Sequence, residues 1–218
     1  MTARAGVFVL CCAAVAWALP AAGQGAAPAA SHGTRLDSTV EASLIREIVQ
    51  ARERNLPVEP LEAKVREGRA KHATVARIHG AVLALAARLD SARTALGMIS
   101  TTEELVAGAD ALQVGATLPS LRALRTAGAR NLAIPLGTLA QLVASGVAQA
   151  RAAELIVELV RRNAPDMQIL ALGNLVDLDV SHGVRAYESA VLHLRRIEDA
   201  LSGSSTAAPP VGTPQRKP

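Results

Sequence analysis

The chain has 218 residues, half of them hydrophobic, only 1% aromatic, and a net charge of +4. After residue 23 it contains no cysteine, which excludes disulfides, thiolate metal sites and cysteine nucleophiles. Between residues 38 and 202 acidic and basic side chains nearly cancel, so the positive balance comes from the ends and does not indicate a nucleic-acid-binding domain.

Residues 1–23 have the layout of a secretion signal. Arg4 precedes an apolar stretch from Val7 to Leu19, too short for a stop-transfer span. Pro20 breaks it, and Ala21-Ala22-Gly23 offers small residues for cleavage before Gln24; a retained anchor is the alternative. Cys11 and Cys12 lie inside the apolar stretch, which argues against a lipoprotein and means that cleavage removes both thiols. Phe8 and Trp17 leave with them, so Tyr187 is the only aromatic residue of the remainder. A core of Leu, Val, Ile and Ala suits closely packed helices. Residues 24–37, rich in Ala, Gly and Pro, read as a flexible linker, and 203–218 as a disordered tail.

Residues 38–202 carry the helix signals. Ser38-Thr39-Val40-Glu41 has the form of a capping box opening a first helix that Asn55 to Pro57 closes. Pro60 suits the first turn of a short second helix ending at Gly68. Val75, Ile78, Val82, Leu85, Leu89, Ala92 and Leu96 form a continuous seam on a third, ended by Gly97; Arg88 falls off the seam and is expected to face solvent. Thr101-Thr102-Glu103-Glu104 opens a fourth helix to about Val114, the acids serving as cap and first-turn charges. Shorter helices are predicted over 119–126, 136–144, 148–162, 166–178 and 184–201. No segment alternates convincingly as a strand. The uncharged stretch 131–150 contains Pro135, Gly137 and Gly146 and is too poor in large apolar residues for a membrane span; it reads as a buried helix and turn.

An internal repeat supports a stacked architecture. Leu139, Leu142, Val143 and Val147 match Leu172, Leu175, Val176 and Val180 at an offset of 33 residues, and Ala153 and Leu159 match Ala186 and Leu192. Weaker copies of the turn fall near Gly115, Gly68 and Asn55. The expected fold is all-α, an irregular, α-solenoid-like stack of helical hairpins with eight or nine helices.

Pro60-Leu61-Glu62-Ala63-Lys64-Val65-Arg66-Glu67-Gly68, continuing through Lys71 to Arg77-Ile78, follows a Leu56-Pro57 turn. Over about residues 55–95 this resembles a family of secreted bacterial helical-repeat proteins with a Leu–Lys–Glu-Gly–Lys–Arg-Ile pattern and no assigned activity. The resemblance implies export and helical repeats. His72 departs from it, since glycine is usual after Lys71.

Candidate sites are few. Asp177, Asp179, Ser181 and Glu188 occupy the first, third, fifth and twelfth places of a calcium-loop pattern, but its sixth place, which needs Gly, holds His182, and Arg185 adds a positive charge. A plain inter-helix turn explains the segment better. His72 and His79 are seven apart without a third ligand at a recognisable spacing, and His182, Tyr187 and His193 lack a Ser or Asp placed for acyl transfer. Lys64, Arg66, Arg69, Lys71 and Arg77 form a basic cluster, tempered by Glu62 and Glu67, that would suit an acidic partner or an anionic membrane surface. No cofactor is implied. The expected function is an exported, periplasmic or extracellular, non-enzymatic interaction or scaffold module with a protein partner and no nucleic acid. The alternatives are a periplasmic enzyme or lytic accessory protein with a non-obvious site, and a lipid-surface binder.

Overall fold

The computed structural model describes residues 30–204, with side chains described for 38–202. The signal-like segment 1–23 and the tail from residue 205 lie outside the described residues. Within them are nine helices and no strand: α1 (Ala30–Glu53), α2 (Glu59–Ala70), α3 (Val75–Leu96), α4 (Thr102–Gln113), α5 (Leu118–Ala127), α6 (Ala133–Ala144), α7 (Gln149–Arg161), α8 (Asp166–Ser181) and α9 (Ala186–Ser204). The all-α stack expected from the repeat is thereby found.

Helix starts follow local chemistry. Thr74 Oγ1 accepts from the Arg77 N–H at 3.3 Å, Thr101 and Glu104 form a reciprocal capping box, and Thr117 caps α5. Proline occupies the first turn of α2 and α5. The start of α1 differs most from expectation. α1 begins at Ala30, so Ser38 lies inside the helix and residues 30–37 are helical. Once a helix has nucleated, each added residue gains a hydrogen bond, and a Ser-x-x-Glu pattern in its interior does not stop it.

Helix ends are more uniform. After α1, α2, α4, α6, α7 and α8 the same pair of bonds closes the last turn; after α6, the Val147 N–H reaches the Leu142 carbonyl (2.9 Å) and the Gly146 N–H the Val143 carbonyl (3.1 Å). This reversal needs a left-handed residue, supplied by Gly146 (φ 100°) and its counterparts Asn55, His72, Gly115, Asn163 and Gly183. The turn expected near Gly68 is in fact at His72 (φ 52°), a left-handed position where a Cβ crowds the backbone.

The helices stack in two layers. α1, α3, α4, α6 and α8 pack in succession along one, and α5, α7 and α9 along the other, with α2 against α3. The α3 seam is buried from Ile78 through Leu96, while Val75 is half-buried. Gly108 and Gly173 allow close approach: a Cβ at Gly108 would meet Ala92 and Leu96, and one at Gly173 would meet Thr138 and Gln141. The uncharged stretch forms α6 and its turn, with Leu136, Leu139 and Leu142 fully buried. No helix among the described residues is long and apolar enough to cross a membrane.

The 33-residue register holds only in part. Leu136 and Leu139 of α6 correspond to Ile169 and Leu172 of α8, all buried. α8 then runs 16 residues against 12 in α6, one extra turn, so Gly146 and Gly183 lie 37 residues apart. Beyond the turn, Ala152, Ala153 and Ile156 of α7 correspond to Ser189, Ala190 and His193 of α9, all buried. The match of Leu159 to Leu192 fails for this reason, the first being buried and the second exposed.

Arg88 also departs from expectation. It is half-buried, and its Nε is enclosed without a hydrogen-bond partner, so it is not a solvated control. Leu89, fully buried, and Leu83, exposed on the same helix, form the cleaner pair. In urea unfolding, Leu89→Ala should cost about 2–5 kcal/mol by leaving a cavity, and Leu83→Ala less than about 1 kcal/mol.

Candidate functional site

The basic set gathers on α2 and the start of α3, but carboxylates engage much of it. Lys64 and Lys71 both donate to Glu67, at 2.6 and 2.5 Å, and Arg69 donates to Glu41 on α1 at 3.1 Å. The two ammonium groups hold the Glu67 carboxyl down at about 2. Arg66 lines a groove of about 260 Å³ between α1 and α2 whose floor is Leu44, Ile45, Ile48 and Val65 and whose rim also carries Glu41 and Glu62. Arg77 lines a smaller groove, about 220 Å³, with Lys64 and Lys71. Interleaved acids reduce the attraction of this surface for an anionic partner.

The calcium pattern is taken apart by the fold. Asp177, Asp179 and Ser181 belong to the last turns of α8 and not to a loop, because α8 continues to Ser181. Asp177 faces Ser145 of α6, whose hydroxyl donates to it at 3.3 Å, and Glu188 pairs with Arg185 at 3.2 Å. A calcium loop needs its oxygens to converge on one point. His72 lies in a turn and His79 on α3, and the described residues hold no group of three or more His, Cys, Asp or Glu side chains able to bind a metal.

Two polar clusters emerge that sequence spacing did not reveal. The first centres on Glu104, nearly fully buried. Its Oε2 accepts from Arg125 Nη2 (2.8 Å) and the Thr101 N–H (3.1 Å), and its Oε1 from the Leu132 N–H (2.9 Å). Arg125 also donates to Ser100 Oγ at 3.0 Å. One carboxylate thus joins the α3–α4 loop, the end of α5 and the start of α6. Burial pushes its pKa up, but Arg125 and the two backbone N–H groups outweigh this and hold it below the ordinary value. The cap role was legible, whereas the partners 21 and 28 residues away were not.

In the second cluster Asp179 Oδ2 accepts from Ser189 Oγ at 2.6 Å and from His193 Nε2 at 2.9 Å, with Ser189 and His193 buried. These bonds, the Ser189 one foremost, hold the Asp179 carboxyl below its ordinary value. The residue types are those of a hydrolase triad, but the order is wrong: the serine donates to the aspartate and not to the histidine, so no base is set to activate it. Alignment on Gly146 and Gly183 would have shown the cluster in advance. It places Asp179, Ser189 and His193 where the preceding hairpin has Leu142, Ala152 and Ile156, all fully buried.

The loops at 128–131 and 163–165 flank a groove of about 420 Å³ lined also by Pro135, Val160, Asp166 and Ile169. In the α3–α4 loop, Met98 is 69% and Ile99 87% exposed. Polar rungs join successive hairpins: Gln141 Nε2 donates to Asn174 Oδ1 at 3.4 Å, and Gln149 bonds Thr117 and Ser120. No protein-family model, curated protein or solved structure matches the chain.

Both clusters yield tests. A depressed folded pKa means that Glu104 stabilises the protein above its ordinary value of 4.5 and that this contribution is lost as pH falls through the depressed one. Glu104→Ala should cost about 3 kcal/mol at neutral pH by leaving Arg125 and two N–H groups without their acceptor, and should flatten the acid limb of the urea midpoint against pH. For the second cluster, Asp179→Ala should lower the urea midpoint. The triple change Asp179→Leu, Ser189→Ala, His193→Ile, copied from the preceding hairpin, should restore it, because removing all partners together leaves no buried polar group unpaired.

Proposed function

We propose that the protein is an exported, non-enzymatic interaction module that presents a fixed apolar ridge to a protein partner. The α3–α4 loop carries this reading. It exposes Met98 and Ile99, yet its backbone is pinned from several sides. Arg93 donates to the Met98 carbonyl (2.9 Å) and the Asn55 carbonyl (2.8 Å), Ser100 Oγ to the Gly97 carbonyl (2.9 Å), and Arg125 to Ser100. Large apolar side chains on a preorganised backbone bind with little ordering cost, the property expected of an interface anchor. The loop at 128–131, which lines a groove with the loop at 163–165, lies between Arg125 and Leu132, the two points tied to Ser100 and Glu104. Export is supported by the signal-like segment 1–23 and by the resemblance over residues 55–95. The ion-paired state of the basic set weighs against the lipid-surface alternative.

A photo-crosslinking residue at Ile99 or Arg130, used in the native cell, should give a discrete adduct with a second protein, and one at Leu83 on α3 should not. Mass spectrometry of the same material should find an N-terminus at Gln24. Equal labelling from all three positions, none at all, or an unprocessed cytoplasmic chain would overturn the reading.

A further inference from the structure

Beyond residue 23 the chain has no cysteine, and its only methionines are Met98 and Met167. Methionine ordinarily fills irregular gaps in a core, because its unbranched side chain adapts to them. Here Leu, Ala, Val and Ile fill the core, and both thioethers stand outside it, Met98 69% and Met167 72% exposed. A thioether in a packed core is shielded by the atoms around it, whereas one in water is open to peroxide. An oxidant acting on the described part of the chain therefore meets two thioethers at the surface and no sulfur in the core.

Met98 stands next to Ile99 on the loop ridge. The bonds that hold this loop, from Arg93 to the Met98 carbonyl (2.9 Å) and from Ser100 Oγ to the Gly97 carbonyl (2.9 Å), are made to main-chain oxygens. They survive a chemical change at the thioether, so the change alters the ridge's polarity and leaves its shape. We infer that Met98 is an oxidation site that switches the ridge from binding to non-binding. In the reaction a sulfur lone pair attacks an oxygen of hydrogen peroxide. The S–O bond forms as the O–O bond breaks, sulfur loses two electrons, and the other oxygen leaves as water after proton transfer. The product is a sulfoxide, whose oxygen is a polar acceptor in the middle of an apolar contact. Burying that oxygen against an apolar partner surface strips its water without supplying a donor, which weakens the contact. Met167 supplies the contrast, since it is equally open to oxidant but belongs to α8 and not to the pinned loop. The inference rests on the reading of this loop as a contact ridge.

Purified protein treated with hydrogen peroxide should take up oxygen on both Met98 and Met167 by peptide mass spectrometry, with circular dichroism and the urea midpoint unchanged. In the native cell, the adduct formed by a photo-crosslinking residue at Ile99 should fall at least about fivefold after brief peroxide exposure. Met98→Leu should keep the adduct with and without peroxide, because leucine has a similar apolar volume and no sulfur. Met167→Leu should remain as peroxide-sensitive as the parent. Three results would each overturn the inference and leave the ridge standing. They are an adduct that persists once Met98 is fully oxidised, an adduct lost equally from Met98→Leu, and a urea midpoint that falls on oxidation. Absence of any adduct from untreated cells would remove the ridge and this inference together.

Discussion

The reversal at the helix C-termini shapes the rest of the molecule. A helix ends with four carbonyls lacking helical partners, and here two of them are repeatedly satisfied by the N–H of the residue that follows a left-handed one and by the N–H of the left-handed residue itself. The residue after that, Leu56, Ala116, Val147 or Ala164, is buried on the end of the helix just finished. The connection is short, so the next helix starts beside the previous one. Repetition of this device at six helix ends produces a stack of hairpins with no sheet to organise it.

Where this device is absent, side chains take over. α3 ends at Gly97 (φ 91°) and α5 at Gly128 (φ 93°) without the paired bonds, and the backbone leading to α4 and α6 is left without that closure. These are the loops that Glu104, Arg125 and Arg93 tie down. A buried carboxylate with three donors costs little net free energy because each lone pair released from water is met by another donor. The stiffness obtained there falls on the loop that exposes Met98 and Ile99.

The core is built from a narrow set of residues. Leu and Ala fill almost all of it, with glycine where two helices come closest, and its buried polar side chains other than Thr138 are bonded into caps and inter-helix ties. Only the last hairpin departs, placing Asp179, Ser189 and His193 at positions that are apolar one hairpin earlier. Apolar side chains that are held firmly and left uncovered on the loop ridge underlie the proposed contact.

Short-range physics was readable along the chain: the capping box at Thr101, the prolines of first turns, the turn residues at Asn55, Gly115 and Gly146, and the α3 seam. Each depends on groups within four or five residues of one another, and together they establish an all-helical chain of stacked hairpins. The tertiary structure decided the matters that turn on helix length and on distant partners. α1 continues back to Ala30 through a plausible cap, and one extra turn in α8 shifts the repeat register, dissolves the calcium pattern and carries Asp179 to His193. Glu104 became a hub because packing brings Arg125 and the Leu132 N–H to it across 21 and 28 residues, separations over which no local propensity acts.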